Sequence, residues 1–459
     1  MPAVILRLAT GLCALVWGGI MVVSPIETRY KTEMNVLFDE KARLDSWMEV
    51  EVALARAHAK LGTIPSAAAD EIAAGAKKVE LARVNEIEAE IHHDLMAMVK
   101  ALSEKCPKYG GFVHLGATSY DIEDTATALT MKRAIGRIRN RLSETAGILR
   151  KLAIEHKKTV CIGRTHGQHA VPTTYGMKFA IYYTEVKRHL ARLDAAERVI
   201  SAGKMAGATG TMATFRGKGR KIQELVMKEI GISSAEVSNQ VVQRDRHAQV
   251  IFTLALIAAT MEKIAKELRN LQRNEIGEVA EPFGRKQVGS STMPQKRNPH
   301  KSERVCSIAR LVRANVAVAM ENIALEHERD LTNSANERFI FADSFILTDY
   351  MLSQMNGILG GLVFFPENIR RNLELTGGAV LSERLMIELT ERGMGRQEAH
   401  EIMRSANMEA FEGKKKLLDV LRAKKEASAL FKKGELEKLM DPDTYIGEAV
   451  EIVEAATKG

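Results

Sequence analysis

What most constrains this 459-residue chain is where its ten prolines are missing. None occurs between Pro107 and Pro172, between Pro172 and Pro282, or between Pro299 and Pro366. A proline inside a helix removes a backbone donor and clashes with the preceding turn, so stretches without it permit very long helices. Apolar side chains in these stretches recur at helical spacing. One stripe is Ile257, Met261, Ile264, Leu268 and Leu271; a second is Val305, Ile308, Val312, Val316, Met320 and Ile323; a third is Met351, Met355, Ile358 and Leu362. They predict the seams of a long-helix bundle, with core packing as their role. Val250 to Met261 is apolar on nearly every side, which predicts a helix surrounded by protein, centrally in the bundle or against other chains of a homo-oligomer.

The expected fold class is all-α, with three helical parts and an extension. The apolar extension covers 1–20, a small N-terminal part 21–120, the bundle 121–366, and a C-terminal part 367–459 after the FFPEN turn. Leu8 to Val23 carries no charge, yet it is shorter than the roughly 20 residues of a spanning helix and has no clean small-residue cleavage signal. We read residues 1–20 as lying upstream of a true start at Met21; a signal-anchor is the alternative.

Cys13, Cys106, Cys161 and Cys306 are scattered, with no C-x-x-C pair, so the sequence signals neither a disulfide framework nor a zinc site. A reducing, cytoplasmic setting follows. The formal charge of +8 is spread among interspersed Glu and Asp, and only eight Tyr and two Trp offer stacking platforms. That pattern argues against nucleic acid and for an anionic small molecule.

Polar clusters interrupt the apolar stripes. They are HHD (His92, His93, Asp94), VHLGATSYD (Val113 to Asp121), GRTHGQ (Gly163 to Gln168), NQVVQRDRH (Asn239 to His247), GSSTMPQKRNPHKS (Gly289 to Ser302) and HERDLTNSANER (His327 to Arg338). A single loop histidine is ordinarily just solvated. Several of them beside Gly, Thr, Ser and Asp suggest acid/base chemistry near neutral pH. Adjacent His92 and His93 cannot share a metal from one helix face, and no H-E-x-x-H follows, so no metal is expected. Ser290 and Ser291 lack the G-x-S-x-G elbow of a nucleophile. A serine removing a carbon-bound proton, with Lys296, Arg297 and Asn298 holding a carboxylate, suits the loop better, because those donors stabilise the resulting aci-carboxylate. Gly284 and Gly289 would let the loop close. Ser334 and Arg338, at i and i+4, would share a helical face and with Arg329 clamp a dianion; the alternative is a solvated face pairing Asp330, Ser334 and Arg338.

Together these motifs resemble the fumarase/aspartase superfamily of lyases. GSSTMPQKRNP resembles its signature loop, and GATSYD and GRTHGQ its other two shared regions, in the same order. Within the superfamily, SPIETRY, HHDLMA, QRDRHA and HERDLTNSANER are similar to the adenylosuccinate lyase family, and the resemblance runs from about Ser24 through DPDTYIG to the end of the chain. It implies a mostly α-helical homotetramer around a twenty-helix core, active sites built from three subunits, and no cofactor. The implied reactions are cleavage of adenylosuccinate to AMP and fumarate, and of succinyl-aminoimidazole-carboxamide ribotide to the carboxamide ribotide and fumarate.

By the same resemblance Ser290 is the base at Cβ, His166 the acid at the departing nitrogen, and His93 orients or shares that role, with Asp94 beside it as a substrate-binding residue. Ser291, Lys296, Asn298, Thr118 and Ser119 would hold the succinyl carboxylates, with Gln240 near them. Arg29, Tyr30, Arg329, Ser334 and Arg338 would grip the phosphate, with His114 nearby. Gln295 departs from the pattern: adenylosuccinate lyases usually have His there and argininosuccinate lyase has Gln. Another superfamily lyase, such as argininosuccinate lyase or a carboxymuconate cycloisomerase, is therefore the alternative, and it would need no phosphate clamp. A non-catalytic structural relative would not need Ser290, His166, Lys296 and Asn298 together.

Overall fold

The computed structural model describes residues 24–458, so the extension over 1–20 and the start at Met21 lie outside the described residues. Several helices begin where a side chain satisfies a free backbone donor of the first turn. Asp39 caps α1 (Glu40–Lys60), accepting from the Ala42 amide at 2.7 Å. The short helices α2 (Ser66–Ala76) and α3 (Leu81–Ile91) follow, and His93 caps α4 (Asp94–Glu104). At the start of α5 (Ser119–Glu155) the Thr118 amide donates to Asp121 at 3.0 Å. With no proline to stop it, α5 runs 37 residues, about 55 Å at the helical rise.

An antiparallel hairpin of β1 (Val160–Thr165) and β2 (Gln168–Thr174) turns the chain into α6 (Tyr175–Ile200). Next come α7 (Gly219–Ile230), α8 (Asp245–Leu271), α9 (His300–Glu321) and α10 (Ser334–Leu359). Pro366 opens α11 (Pro366–Glu374), where its missing donor costs nothing. Six more helices follow, making seventeen among the described residues.

Helices α5, α6, α8, α9 and α10 share one core, to which Ile257, Met261, Ile264, Met351, Met355 and Ile358 contribute fully buried side chains. The chain between α6 and α8 leaves the bundle: Met205, Phe215, Ile222, Val226 and Met227 pack instead with Trp47, Leu54, Leu95 and Leu102 of the N-terminal helices. A separate apolar cluster, including Leu385, Met403 and Leu417, lies in the C-terminal part.

The protein is mostly helical, and the all-α expectation needs one correction. The GRTHGQ stretch is the tip of a β-hairpin, and two other strand pairs of two residues each tie loops together. The α9 stripe also differs from expectation. Val305, Ile308 and Val312 are buried, but the seam continues through Ala319 and Asn322 while Met320 and Ile323 are 54% and 42% exposed. A seam advances 3.5 residues per turn, so three successive steps of four rotate a stripe out of it. Helix α8 is apolar and long enough to cross a membrane, yet 67% of its most apolar window is buried inside the fold. It is the central core helix, although Phe252 remains 51% exposed.

Candidate active site

Two polar groups form at opposite ends of the bundle. The first gathers where α4, α5 and α10 begin. Arg329 lies over the Tyr120 ring, its guanidinium carbon 3.6 Å from the centroid, and donates from Nη1 to Gln240 Oε1 at 3.1 Å. Its Nε and Nη2 are buried without a partner. That edge is the one that matches two oxygens of an oxyanion. The Tyr120 hydroxyl donates to Ser334 Oγ at 3.3 Å. One helical turn on, Arg338 pairs with Asp94. Burial alone would raise the Asp94 pKa, but Arg338 holds it below the ordinary carboxylate value. His93 lies beside Asp94, 3.8 Å from its carboxylate, and accepts from the Met96 amide through Nδ1. The alternative pairing of Asp330 with Ser334 and Arg338 does not form, because Asp330 binds the amides of Glu326 and Thr332.

Behind this group is a cavity of about 160 Å³ lined by Arg43, Trp47, Tyr120, Glu123, Ser334 and Arg338. Burial, then the charges of Asp94 and Asp124, push Glu123 up to about 8. Burial and the Glu123 charge push Tyr120 up to about 12, keeping its hydroxyl a donor. Deeper still, Arg244 donates to both Asp124 oxygens at 3.0 and 2.8 Å and to Glu337 at 3.3 Å. Thr118 and Ser119 start α5, whose N-terminal dipole favours an anion.

The second group lies beyond the far ends of α5 and α8. The hairpin has a two-residue turn, His166-Gly167, with φ of 54° and 76°. Positive φ at both positions is the type I′ arrangement, and it presents the His166 side chain exposed at the tip. In the signature loop, Ser290 Oγ accepts from the backbone amides of Thr292 and Met293 at 3.3 and 3.1 Å. Two amide donors favour the alkoxide over the hydroxyl, which is what a serine base requires. Asn298 donates to the Gly289 carbonyl at 2.8 Å, and a Cβ on Gly289 would stand 2.1 Å from the Lys296 carbonyl oxygen. Glycine is needed there for close approach across the loop's neck, a different role from the hinge expected of it. Lys296, Arg297 and Ser291 are exposed, and among the described residues neither cation has a carboxylate partner.

The separation is set by helix length. Arg244 and Asp124 join the starts of α8 and α5. Just past the end of α8, Gln272 donates to the Arg297 carbonyl at 3.0 Å, and Glu278 holds Arg164 and Tyr175 at the hairpin. Helix α8 has 27 residues, about 40 Å. Within one chain, therefore, Ser290 and His166 stand far from His93, Thr118, Ser119, Gln240 and Arg329. Arg29 and Tyr30 are also apart from Arg329: the Tyr30 ring meets Tyr350 at 5.2 Å, more than four turns along α10 from Ser334, roughly 24 Å.

Backbone strain marks the same motifs. Among the described residues seven non-glycine positions have positive φ, and four are histidines: His92, His114, His166 and His327. Each lies in one of the polar clusters, and strained backbone concentrates at functional sites.

Residues 28–314 match the family described as Lyase, and residues 378–456 match the adenylosuccinate lyase C-terminus. An adenylosuccinate lyase from Pyrococcus abyssi is 54% identical over 95% of this chain and 97% of its own. One from Aquifex aeolicus is 40% identical over 92% and 96%. The chain belongs to the adenylosuccinate lyase family. Among solved structures, a fumarate lyase from Mesorhizobium and a 3-carboxy-cis,cis-muconate lactonizing enzyme from Pseudomonas putida each superpose with a TM-score of 0.87 at 31% identity. The first covers 93% of this chain and 97% of its own, the second 95% and 98%.

For this member of the adenylosuccinate lyase family, sequence reasoning passed over Tyr120, Glu123 and the Arg244 cluster. Tyr120 stands inside a motif already singled out, and an aromatic ring beside a helix start was the available signal. Glu123 and Asp124 carried no local sign of burial.

Proposed function

We infer that the protein is a carbon–nitrogen lyase that cleaves adenylosuccinate to AMP and fumarate, and succinyl-aminoimidazole-carboxamide ribotide to the carboxamide ribotide and fumarate, in purine nucleotide biosynthesis. The observation that carries the substrate class is the unpartnered Nε and Nη2 edge of Arg329, whose guanidinium lies over Tyr120, the ring whose hydroxyl bonds Ser334. It suits a phosphate dianion. A muconate substrate, which lacks phosphate, would leave that edge idle.

In the reaction we propose, the Ser290 alkoxide takes a proton from the succinyl Cβ. Lys296, Ser291, Asn298 and the α5 N-terminus with Thr118 and Ser119 stabilise the charge that spreads into the neighbouring carboxylate. The Cα–N bond then breaks, its electron pair moves to nitrogen, and His166 supplies the proton there. His93, fixed beside Asp94, orients that end of the substrate. Gln240 links the succinyl end to Arg329, and Arg29, Tyr30 and His114 complete the phosphate grip.

The separation of the two groups by the length of α8, 27 residues or roughly 40 Å, supports a homo-oligomer whose sites draw on several chains, a homotetramer with a shared twenty-helix core. Exposed apolar side chains on the bundle helices, including Ile181, Phe252, Leu311, Met320 and Phe339, are available to build it. Three of the four apolar clusters support a division into N-terminal, bundle and C-terminal parts, with residues 205–232 joining the first, while the fourth packs Ile162 of β1 against Leu373 and Leu381. Free, buried Cys106, Cys161 and Cys306 are compatible with the cytoplasm.

The direct test is ultraviolet detection of adenylosuccinate cleavage by the parent and by Ser290→Ala. Cleavage by the parent, with the variant still binding substrate but near background, is the expected result. No cleavage by folded parent protein, with turnover of argininosuccinate instead, would overturn the substrate assignment.

A further inference from the structure

Glu51, on α1, is 1% exposed and takes no part in the mechanism above. Both its oxygens go to one residue: Oε2 accepts from the His114 backbone amide at 3.2 Å, and Oε1 lies 2.6 Å from His114 Nδ1. A carboxylate that far from water is costly unless it is paired and hydrogen-bonded, so the ring must present Nδ1–H to it. Nε2 is then the nitrogen left for a ligand, and it has no protein partner among the described residues.

The backbone reinforces the arrangement. His114 has φ of 61°, a conformation disfavoured for a residue with a Cβ. It is held on both sides. Glu51 takes its amide, and His58 Nε2, also from α1, bonds the Leu115 carbonyl at 2.9 Å. Gly116 follows, pressed so closely on Phe215 that a Cβ would meet the ring at 2.9 Å. The other ionisable group facing His114 is Asp121, whose carboxylate pairs with Lys204 and still adds to the pull on a proton at His114.

We propose that Glu51 is a positioning residue that holds His114 as an imidazolium, so that a charged Nε2–H faces the substrate phosphate. The inference rests on the reading of His114 as a phosphate ligand. A neutral ring held by the same carboxylate would turn a lone pair toward the dianion. Burial pulls the His114 pKa down, but the hydrogen bond and charge of Glu51, with Asp121, outweigh it and raise the pKa above the ordinary value. The cation, and the affinity it supplies, is present below that raised value and lost as pH rises through it. Without Glu51 the loss moves to lower pH.

The test uses the full-length enzyme and Glu51→Gln, which keeps the shape and one acceptor. Charged hydrogen bonds of this kind account for a rise of about tenfold or more in the KM for adenylosuccinate and in the inhibition constant of AMP at pH 8. Both differences shrink toward pH 6, kcat stays within about twofold, and inhibition by fumarate is unchanged. Unaltered AMP inhibition, or a fall in kcat at constant KM, overturns the role. The ligand-free parent gives an independent reading: the imidazole resonance missing from His114→Gln must titrate above the ordinary histidine value. Titration at or below it overturns the pairing even if Glu51→Gln fails to fold or adenylosuccinate proves not to be the substrate.

Discussion

Chains carrying Ser290→Ala and chains carrying Arg329→Gln are each expected to be nearly inactive alone, and active when assembled together. The two positions lie at opposite ends of α8, a helix of 27 residues, about 40 Å apart along the bundle. Loss of a base costs roughly 10²- to 10⁴-fold in rate. Replacing the Arg329 fork by a neutral amide removes two charged hydrogen bonds to phosphate, about 3 kcal/mol, a hundredfold or more in kcat/KM. If every site takes its signature loop from one chain and its phosphate grip from another, each part is intact in half the cases. An equal random mixture then has both parts intact in roughly a quarter of its sites. If one chain supplied both parts, no site would be intact. The assay is adenylosuccinate cleavage by co-expressed, differently tagged chains, with mixed oligomers verified by both tags. Activity near a quarter of the parent supports shared sites, and activity no higher than that of the separate variants refutes them.

Three further outcomes follow from individual contacts. Gly289→Ala puts a methyl 2.1 Å from the Lys296 carbonyl oxygen, so the loop's neck must open; kcat/KM should fall by about tenfold or more while Tm, measured calorimetrically, moves little, because the loop is exposed. Glu123 is raised from 4.5 to about 8 in the fold, so the folded state binds an extra proton between those values and loses stability as pH rises through them. Glu123→Gln should therefore raise Tm above pH 8 and change little near pH 5; an equal shift at both would contradict the buried, protonated carboxyl. Arg244→Met leaves Asp124 and Glu337 buried without their cation, which should cost about 3–5 kcal/mol in urea unfolding, and a loss below about 1 kcal/mol would mean that water reaches the pair.

The helical architecture was legible because helix length and seam position are properties of continuous sequence. The proline-free spans correspond to α5, α6, α8, α9 and α10, and Ile257 through Leu271 is a buried seam as expected. What failed was register over distance. In α9 the expected stripe drifted off the seam at Met320, since a run of spacing-four steps cannot distinguish the core face from a neighbouring face that is apolar for another reason. The destination of residues 205–232 was likewise invisible, because which core a segment joins depends on long-range packing.

The site was legible as a set of motifs and not as a place. Each cluster suggested a chemistry through residue types that have little structural use together, such as Ser290 with Lys296 and Asn298. Nothing local said that α8 would carry two halves of that chemistry to opposite ends of one chain. The left-handed histidines explain part of the gap. At His166 the turn needs positive φ at two successive positions, and only the glycine at the second signals it; at His114 the backbone amide is held by Glu51, distant in sequence. A histidine chosen for its ring must then accept a backbone that glycine or asparagine would adopt more readily, and neighbouring contacts must hold it there. Such positions read as ordinary loop residues in a sequence because the force that fixes them comes from another helix.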